Sequence, residues 1–278
     1  MSDASRIPVL LKGGARTPIG RFLGGLSHFS APELGAIAVR ASVERSGIDV
    51  SDVEEVIMGN VVTAGAGQAP ARQAAVGGGV PETVPALTIN KVCGSGLKAV
   101  MLAAQAVRAG DARLIVAGGM ESMSMVPHYL RGMRNGIKFG DQGMDDGLIF
   151  DGLWCSFGNC HMGGYAEYTA NKAGVSRDAA DEFSLRSHQK AVAAAEAGFF
   201  ENEIVPVEVK KRKSVSVIDV DESPRGDTSL DALGKLRPAF VRDAPDEIEE
   251  HVVTAGNCLL YTSDAADEGL GVDLGGRR

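Results

Sequence analysis

Positive charge is scarce in this chain: 28 Lys and Arg stand against 36 Asp and Glu in 278 residues, giving a formal net charge of −8 and a pI near 5.2. Phosphate binding needs a basic face, so the balance argues against a general nucleic-acid binder. Long apolar runs are missing as well. No stretch approaches the roughly 20 residues that span a bilayer, and the opening MSDASRIPVL lacks the charged-then-apolar layout of a signal peptide. The default expectation is a soluble cytoplasmic protein. Cysteine is sparse too: Cys93, Cys155, Cys160 and Cys258 are too few, in so long a chain, to build a disulfide framework. The one concentrated basic run, Lys210 to Lys213 (KKRK), reads as a solvated strand end rather than a targeting or polyanion site.

What is present is ordinary globular composition, 44% hydrophobic and 23% charged, enough for one large α/β unit or two domains. Apolar runs with β character (Pro8 to Leu11, Glu55 to Met58, Leu87 to Val92, Leu114 to Ala117) alternate with alanine-rich helical stretches (Ala31 to Arg45, Ala71 to Val76, Ser95 to Arg108). That alternation predicts a mostly parallel sheet covered by helices, a layered α/β core over about residues 1–120. From about 121 to 168 the texture turns to glycine, methionine and polar residues without a sustained period, which suits a lid or subunit-contact region better than a linker. Ser176 to Ala197 returns to helical form, with Ser176 as N-cap and Gly198 as stop. Glu203 to Val209 and Ser214 to Val220 then alternate like paired strands.

The stretch NKVCGSGLKAV, residues 90–100, sets Cys93 between a β-like run and the start of a helix. That helix carries Leu97, Val100, Met101, Ala104 and Val107 on one side, which is expected to be its packed face. Amide groups at a helix N-terminus favour a thiolate. A free thiol near pKa ~8.5 must fall by about 1.5 units to be half ionised at pH 7, roughly 2 kcal/mol, whereas an exposed helix end supplies about 0.3–1 kcal/mol. A nucleophilic Cys93 therefore needs a partner base. Gly94 and Gly96 suit a sharp turn where a carbonyl meets backbone N–H groups. Free cysteine is also among the most buried residue types, so the residues alone leave nucleophile and core filler both open.

The stretches GARTPIGRF (14–22), GNVVTAGAGQAPARQAA (59–75), NKVCGSGLKAV, AGGMESMS (117–124), CHMGGYAE (160–167), KLRPAF (235–240) and VTAGN (253–257) resemble the thiolase family, close to its acetyl-CoA acetyltransferases. The resemblance runs in family order over nearly all of residues 8–257. It implies a layered αβαβα fold, represented here by an N-terminal core half (1–120), a loop domain with its return to the core (121–250) and the start of a C-terminal core half (251–257). Cys93 would take the acyl group as a thioester during condensation of two acetyl-CoA or the reverse cleavage. Leu153, His161 and Met162 would line the pantetheine path, Arg225 would lie by the adenine nucleotide, and Phe240 and Ala255 would line the pocket. The resemblance also implies a homotetramer with a contact near 123–142, and no cofactor beyond coenzyme A thioesters as substrates.

No metal is expected at Cys155, Cys160 and His161, because four residues separate the cysteines instead of the two of C-x-x-C-H. GAGQAP (65–70) lacks the third glycine of a dinucleotide fingerprint. After Asn257 the resemblance stops. CLLYTSDAADE is similar to a translated transposon-end sequencing adapter and GVDLGGRR to the flow-cell adapter beyond it, so 258–278 is expected to be an artefactual tail. The family's catalytic histidine and second cysteine belong to the missing C-terminal half, and none of His28, His128, His161, His188 or His251 lies in that motif. The expectation is an acetyl-CoA acetyltransferase parent and a chain that does not turn over. The alternatives are a degradative 3-ketoacyl-CoA thiolase, a ketoacyl-synthase-type condensing enzyme, against which the long loop with His161-Met162 argues, and a non-catalytic acyl-CoA-binding protein.

Overall fold

The computed structural model describes residues 8–212 and 214–258. Of the tail expected to be artefactual, all but Cys258 lies outside the described residues. The described residues divide into two compact units: one from 8–126 with 201–221, the other from 127–200 with 222–258. No helix among the described residues is long and apolar enough to cross a membrane.

The first unit is built on three parallel strands, β1 (Glu55–Gly59), β2 (Ala86–Ile89) and β3 (Ile115–Gly119), in the order β2-β1-β3. Parallel neighbours need a crossover, and helices supply both: α2 (Pro70–Gly77) lies between β1 and β2, and α3 (Ser95–Ala109) between β2 and β3. Strand residues alternate between faces. Val56 and Met58 of β1 pack with α2 and α1 (Ala31–Ser46), while Ile57 packs with Ala99 and Ala103 of α3. The result is an α/β sandwich, helices on both faces of the sheet, as the strand-helix alternation predicts. Each fully buried Val or Met side chain contributes about 1.5–3 kcal/mol over leaving it exposed.

A hairpin made much later in the chain, β4 (Val207–Lys211) and β5 (Ser214–Ile218), joins this unit and buries Val207 and Val209 against Leu26 and Leu34. Arg16 ties it down. Its guanidinium donates to Asp221 Oδ1 and Oδ2 at 2.7 and 2.9 Å and to Glu203 Oε1 at 2.8 Å. A bidentate, charge-assisted pair of this kind is strong and geometrically demanding.

Three expectations need correction. Pro8 to Leu11 forms no strand; Leu10 is 89% exposed, and no described strand runs beside it to take up its backbone groups. The second strand stops at Ile89, because the Asn90 side chain accepts the Val92 N–H at 2.8 Å and turns the chain. The packed face of α3 also differs from the expected one. Its buried residues are Ser95, Ala99 and Ala103, whereas Leu97 and Met101 are 50% and 48% exposed. This helix is apolar on most sides, so apolarity does not choose its face. Close approach to the sheet does, and it selects small residues.

That approach is set by glycine. A Cβ on Gly59 would stand 2.6 Å from the Ser95 backbone carbon and 2.7 Å from Gly96 N, and one on Gly119 would stand 3.2 Å from Gly96 Cα. Beyond the ends of β1 and β3 the buried Glu121 carboxylate accepts Asn60 Nδ2–H at 2.6 Å and Val61 N–H at 2.7 Å.

The second unit is made of smaller pieces. It contains the antiparallel pairs β6 (His128–Tyr129) with β7 (Asp145–Asp146) and β8 (Trp154–Cys155) with β9 (Cys160–His161), a π-helical turn at Leu148–Leu153, and helices α4 (Met162–Lys172), α5 (Arg177–Glu196) and α6 (Leu230–Gly234). Ser176 caps α5 by accepting Ala179 N–H at 3.2 Å, as its sequence predicts.

Gly59→Ala should destabilise the protein by about 1–3 kcal/mol, because its methyl must push α3 off the strand ends. A denaturant titration should show a lower midpoint at unchanged slope.

Candidate active site

Cys93 stands where β2 gives way to α3. Val92, just before it, has φ 50°, a left-handed conformation that is costly for a β-branched residue, about 1–2 kcal/mol. Local hydrogen bonds hold it there. Ser95 Oγ donates to Val92 O at 2.6 Å and accepts Lys91 N–H at 2.8 Å, and Ser95 N–H also donates to Val92 O at 3.0 Å. Gly94 serves as N-cap, and its carbonyl accepts Lys98 N–H at 2.9 Å. The turn leaves Cys93 exposed rather than packed, which removes the core-filler reading for the described structure. Among the described residues no side chain hydrogen-bonds its thiol. Ile89 and Asn90, just upstream, line a depression in the same unit together with Asn60, Thr63 and Thr88.

The other expected residues belong to the second unit. His161 is the N-cap of α4, its Nδ1 accepting Gly163 N–H at 3.2 Å, and its ring lies on Phe240 with centroids 4.7 Å apart. Burial holds His161 below its ordinary pKa of 6.5, partly countered by the nearby Asp243, which favours the uncharged ring that can act as that acceptor. Phe240 is buried and packs directly on Gly163. Met162 is partly exposed at the first position of α4, and Leu153 is half-buried at the end of the π-helical turn. Arg225 is exposed, and its N–H donates to His188 Nδ1 at 3.1 Å. Burial foremost, then the Arg225 charge, lowers the pKa of His188. Ala255 is exposed in a turn where Thr254 N–H donates to Asn257 Oδ1 at 2.8 Å. The structure therefore brings His161, Met162 and Phe240 together, while Arg225 and Ala255 stand on separate segments.

Three positions that hold the segment around Ala255 carry no mark in the sequence, although two lie inside quoted motifs. Glu167, the last residue of CHMGGYAE, is fully buried and accepts Val252 N–H at 2.8 Å and Val253 N–H at 3.0 Å, which fixes the segment leading to Ala255. Asn257, the last of VTAGN, donates to Asp181 Oδ1 at 2.9 Å, and Arg177 pairs with the same buried Asp181 at 2.8 Å.

Among the described residues no group of three or more His, Cys, Asp or Glu could hold a metal ion. An exposed thiol at the start of a helix, carried on a parallel sheet by glycine contacts, is the arrangement of an α/β protein with a candidate nucleophilic cysteine. Residues 9–266 match the family described as "Thiolase, N-terminal domain". The chain belongs to the thiolase family. It is 48% identical over 259 residues to an acetyl-CoA acetyltransferase of Pseudomonas aeruginosa and 52% identical over 259 residues to one of Cupriavidus necator, in each case over 93% of this chain and 64% of the relative. The solved acetyl-CoA acetyltransferase of Bacillus anthracis superposes with a TM-score of 0.83 at 35% identity, over 88% of this chain and 60% of that one. The chain thus spans about 64% of the length of the curated relatives it matches.

Two measurements test this geometry. Val92→Asn, which tolerates the left-handed conformation, should raise stability by about 1 kcal/mol in a urea titration. An NMR titration should place His161 below 6.5 in the folded chain. Its neutral form is then favoured by folding, so this contribution is whole above the unfolded value and is lost as pH falls through the folded one; Phe240→Ala, which opens the ring to water, should move the transition upward.

Proposed function

We propose that the protein to which this chain belongs is an acyltransferase of the acetyl-CoA acetyltransferase type, condensing two acetyl-CoA to acetoacetyl-CoA or running the thiolytic reverse. The observation that carries the reading is Cys93, exposed at the N-terminus of a helix whose seat on the sheet is fixed by Gly59, Gly96 and Gly119. In the first half-reaction the Cys93 thiolate attacks the acetyl-CoA carbonyl, the carbon–sulfur bond to coenzyme A breaks, and the departing thiolate takes a proton. In the second, an acetyl-CoA that has lost an α-proton attacks the acyl-cysteine, and Cys93 leaves as the thiolate. Splitting the transfer in this way replaces one difficult step with two easier ones. Amides of the first turn of α3 supply partial positive charge where negative charge develops.

Leu153, His161, Met162, Arg225, Phe240 and Ala255 are the proposed coenzyme A contacts. Support comes from His161 packed on Phe240 with Met162 beside it, an apolar surface with one polar edge suited to a pantetheine chain. No cofactor beyond the thioester substrates is proposed. The exposed apolar side chains Met133, Ile137 and Phe139 support the tetramer contact near 123–142.

As the 278-residue polypeptide, the chain is proposed to hold coenzyme A thioesters without turning them over, since among the described residues nothing hydrogen-bonds the Cys93 thiol to activate it. Thiolysis of acetoacetyl-CoA should therefore be absent from this polypeptide. It should be present in a version extended to the length of the relatives, where Cys93→Ala should lower kcat by a factor on the order of 10³ or more. Mass spectrometry of the extended version after acetyl-CoA exposure should find acetyl on the tryptic peptide Val92–Lys98. Sustained turnover by the 278-residue polypeptide would refute the inactive reading, and an active extended enzyme indifferent to Cys93→Ala would refute the mechanism. A preference for longer 3-ketoacyl-CoA substrates would favour the degradative alternative.

A further inference from the structure

Cys155 and Cys160 face each other across the β8–β9 ladder, paired directly with one another beside the Trp154–His161 pair. Residues directly opposite in an antiparallel ladder have Cα atoms about 4.5–5.5 Å apart and side chains on one face of the ribbon. That separation falls inside the roughly 4.4–6.8 Å at which a disulfide closes. Both thiols are free and neither is fully buried, and the turn between them is open to solvent, with Phe157 wholly exposed. Neither cysteine has a role in the acyl transfer proposed for Cys93.

We propose that Cys155 and Cys160 form a redox-active dithiol that a hydroperoxide converts reversibly to an intrachain disulfide. The two thiols are not equivalent. Cys155 Sγ accepts the Gly158 N–H at 3.4 Å and has the Tyr165 hydroxyl 3.8 Å away. Bonds from Gly158 and then Phe157 hold its thiol below the ordinary value, whereas burial, with the charges of Cys155 and Asp243, pushes Cys160 up. Cys155 is thus the attacking thiol. Its thiolate attacks one peroxide oxygen, the O–O bond breaks, and the leaving hydroxide takes a proton to become water, giving a sulfenic acid. Cys160 sulfur then attacks the Cys155 sulfur, its proton leaves with the sulfenic hydroxyl as a second water, and the S–S bond forms. Two thiols lose two electrons and the peroxide gains two. A bond on an accessible hairpin suits a reversible redox site better than a structural cross-link.

Both cysteines lie in one tryptic peptide, Phe139–Lys172, and Cys93 lies in another, so Cys93 serves as an internal control for oxidant exposure. The full chain is treated with hydrogen peroxide, alkylated with iodoacetamide and mapped by mass spectrometry. The expected result is a Phe139–Lys172 peptide lighter by two hydrogen atoms and lacking both alkylation adducts, with recovery after dithiothreitol. Cys160→Ser should leave a sulfenic acid on Cys155 that dimedone captures, and Cys155→Ser should abolish the cross-link and most dimedone labelling of the hairpin. Full alkylation of both cysteines under peroxide that oxidises Cys93 would overturn the proposal. Equal dimedone capture at Cys160 in Cys155→Ser would overturn the assigned order of attack.

Discussion

The helix that presents Cys93 is placed by a contact that has no room for a side chain. Gly59 and Gly119 end adjacent strands, and Gly96 lies in the first turn of α3 against them, backbone on backbone. Packed interiors tolerate little change in volume, so one methyl here is felt at the cysteine three residues away. The left-handed Val92 is a consequence of the same seat: the chain leaving β2 must reverse sharply to enter a helix held so low on the sheet. The buried Glu121 carboxylate then ties the loop after β1 to the segment after β3, gathering the exits of two strands around the same point.

Regular, repeating signals made the fold of the first unit legible. Glu55 to Met58 and Leu114 to Ala117 differ from the observed strands by one or two residues, and the alternation with alanine-rich segments was enough to imply a parallel sheet. What failed was the choice among equivalent options. On α3, Leu97 and Met101 are more hydrophobic than Ala99 and Ala103, yet the alanines are inside, because distance to the strands decides and not transfer free energy. Pro8 to Leu11 has strand composition without a strand to join.

The candidate site was legible through short motifs, and to differing depth. The place of Cys93 between a β run and a glycine turn marks it as a candidate but leaves nucleophile and core filler both open, and only the structure shows it exposed. His161 and Phe240 are 79 residues apart, and their stacking follows only from tertiary structure. Glu167 and Asp181 carry no local clue to their roles, since their partners, the amides of Val252 and Val253 and the side chain of Asn257, arrive some 70–90 residues later. A buried acid facing backbone N–H groups is invisible until the chain that supplies those groups is in place.

The Arg16 clamp also dictates an order of events during synthesis. Its acceptors, Glu203 and Asp221, lie 187 and 205 residues downstream, and the hairpin that fills the space beside Leu26 and Leu34 is made between them. At about 5–20 residues per second, the ribosome completes the α1–β3 core long before these partners exist, so that core must wait with an apolar flank open. Residues 127–200 of the other unit emerge in this interval. The segment around Arg16 is therefore closed only after residues made some two hundred positions later, and until then the flank beside Leu26 and Leu34 is open to chaperones, proteases and self-association.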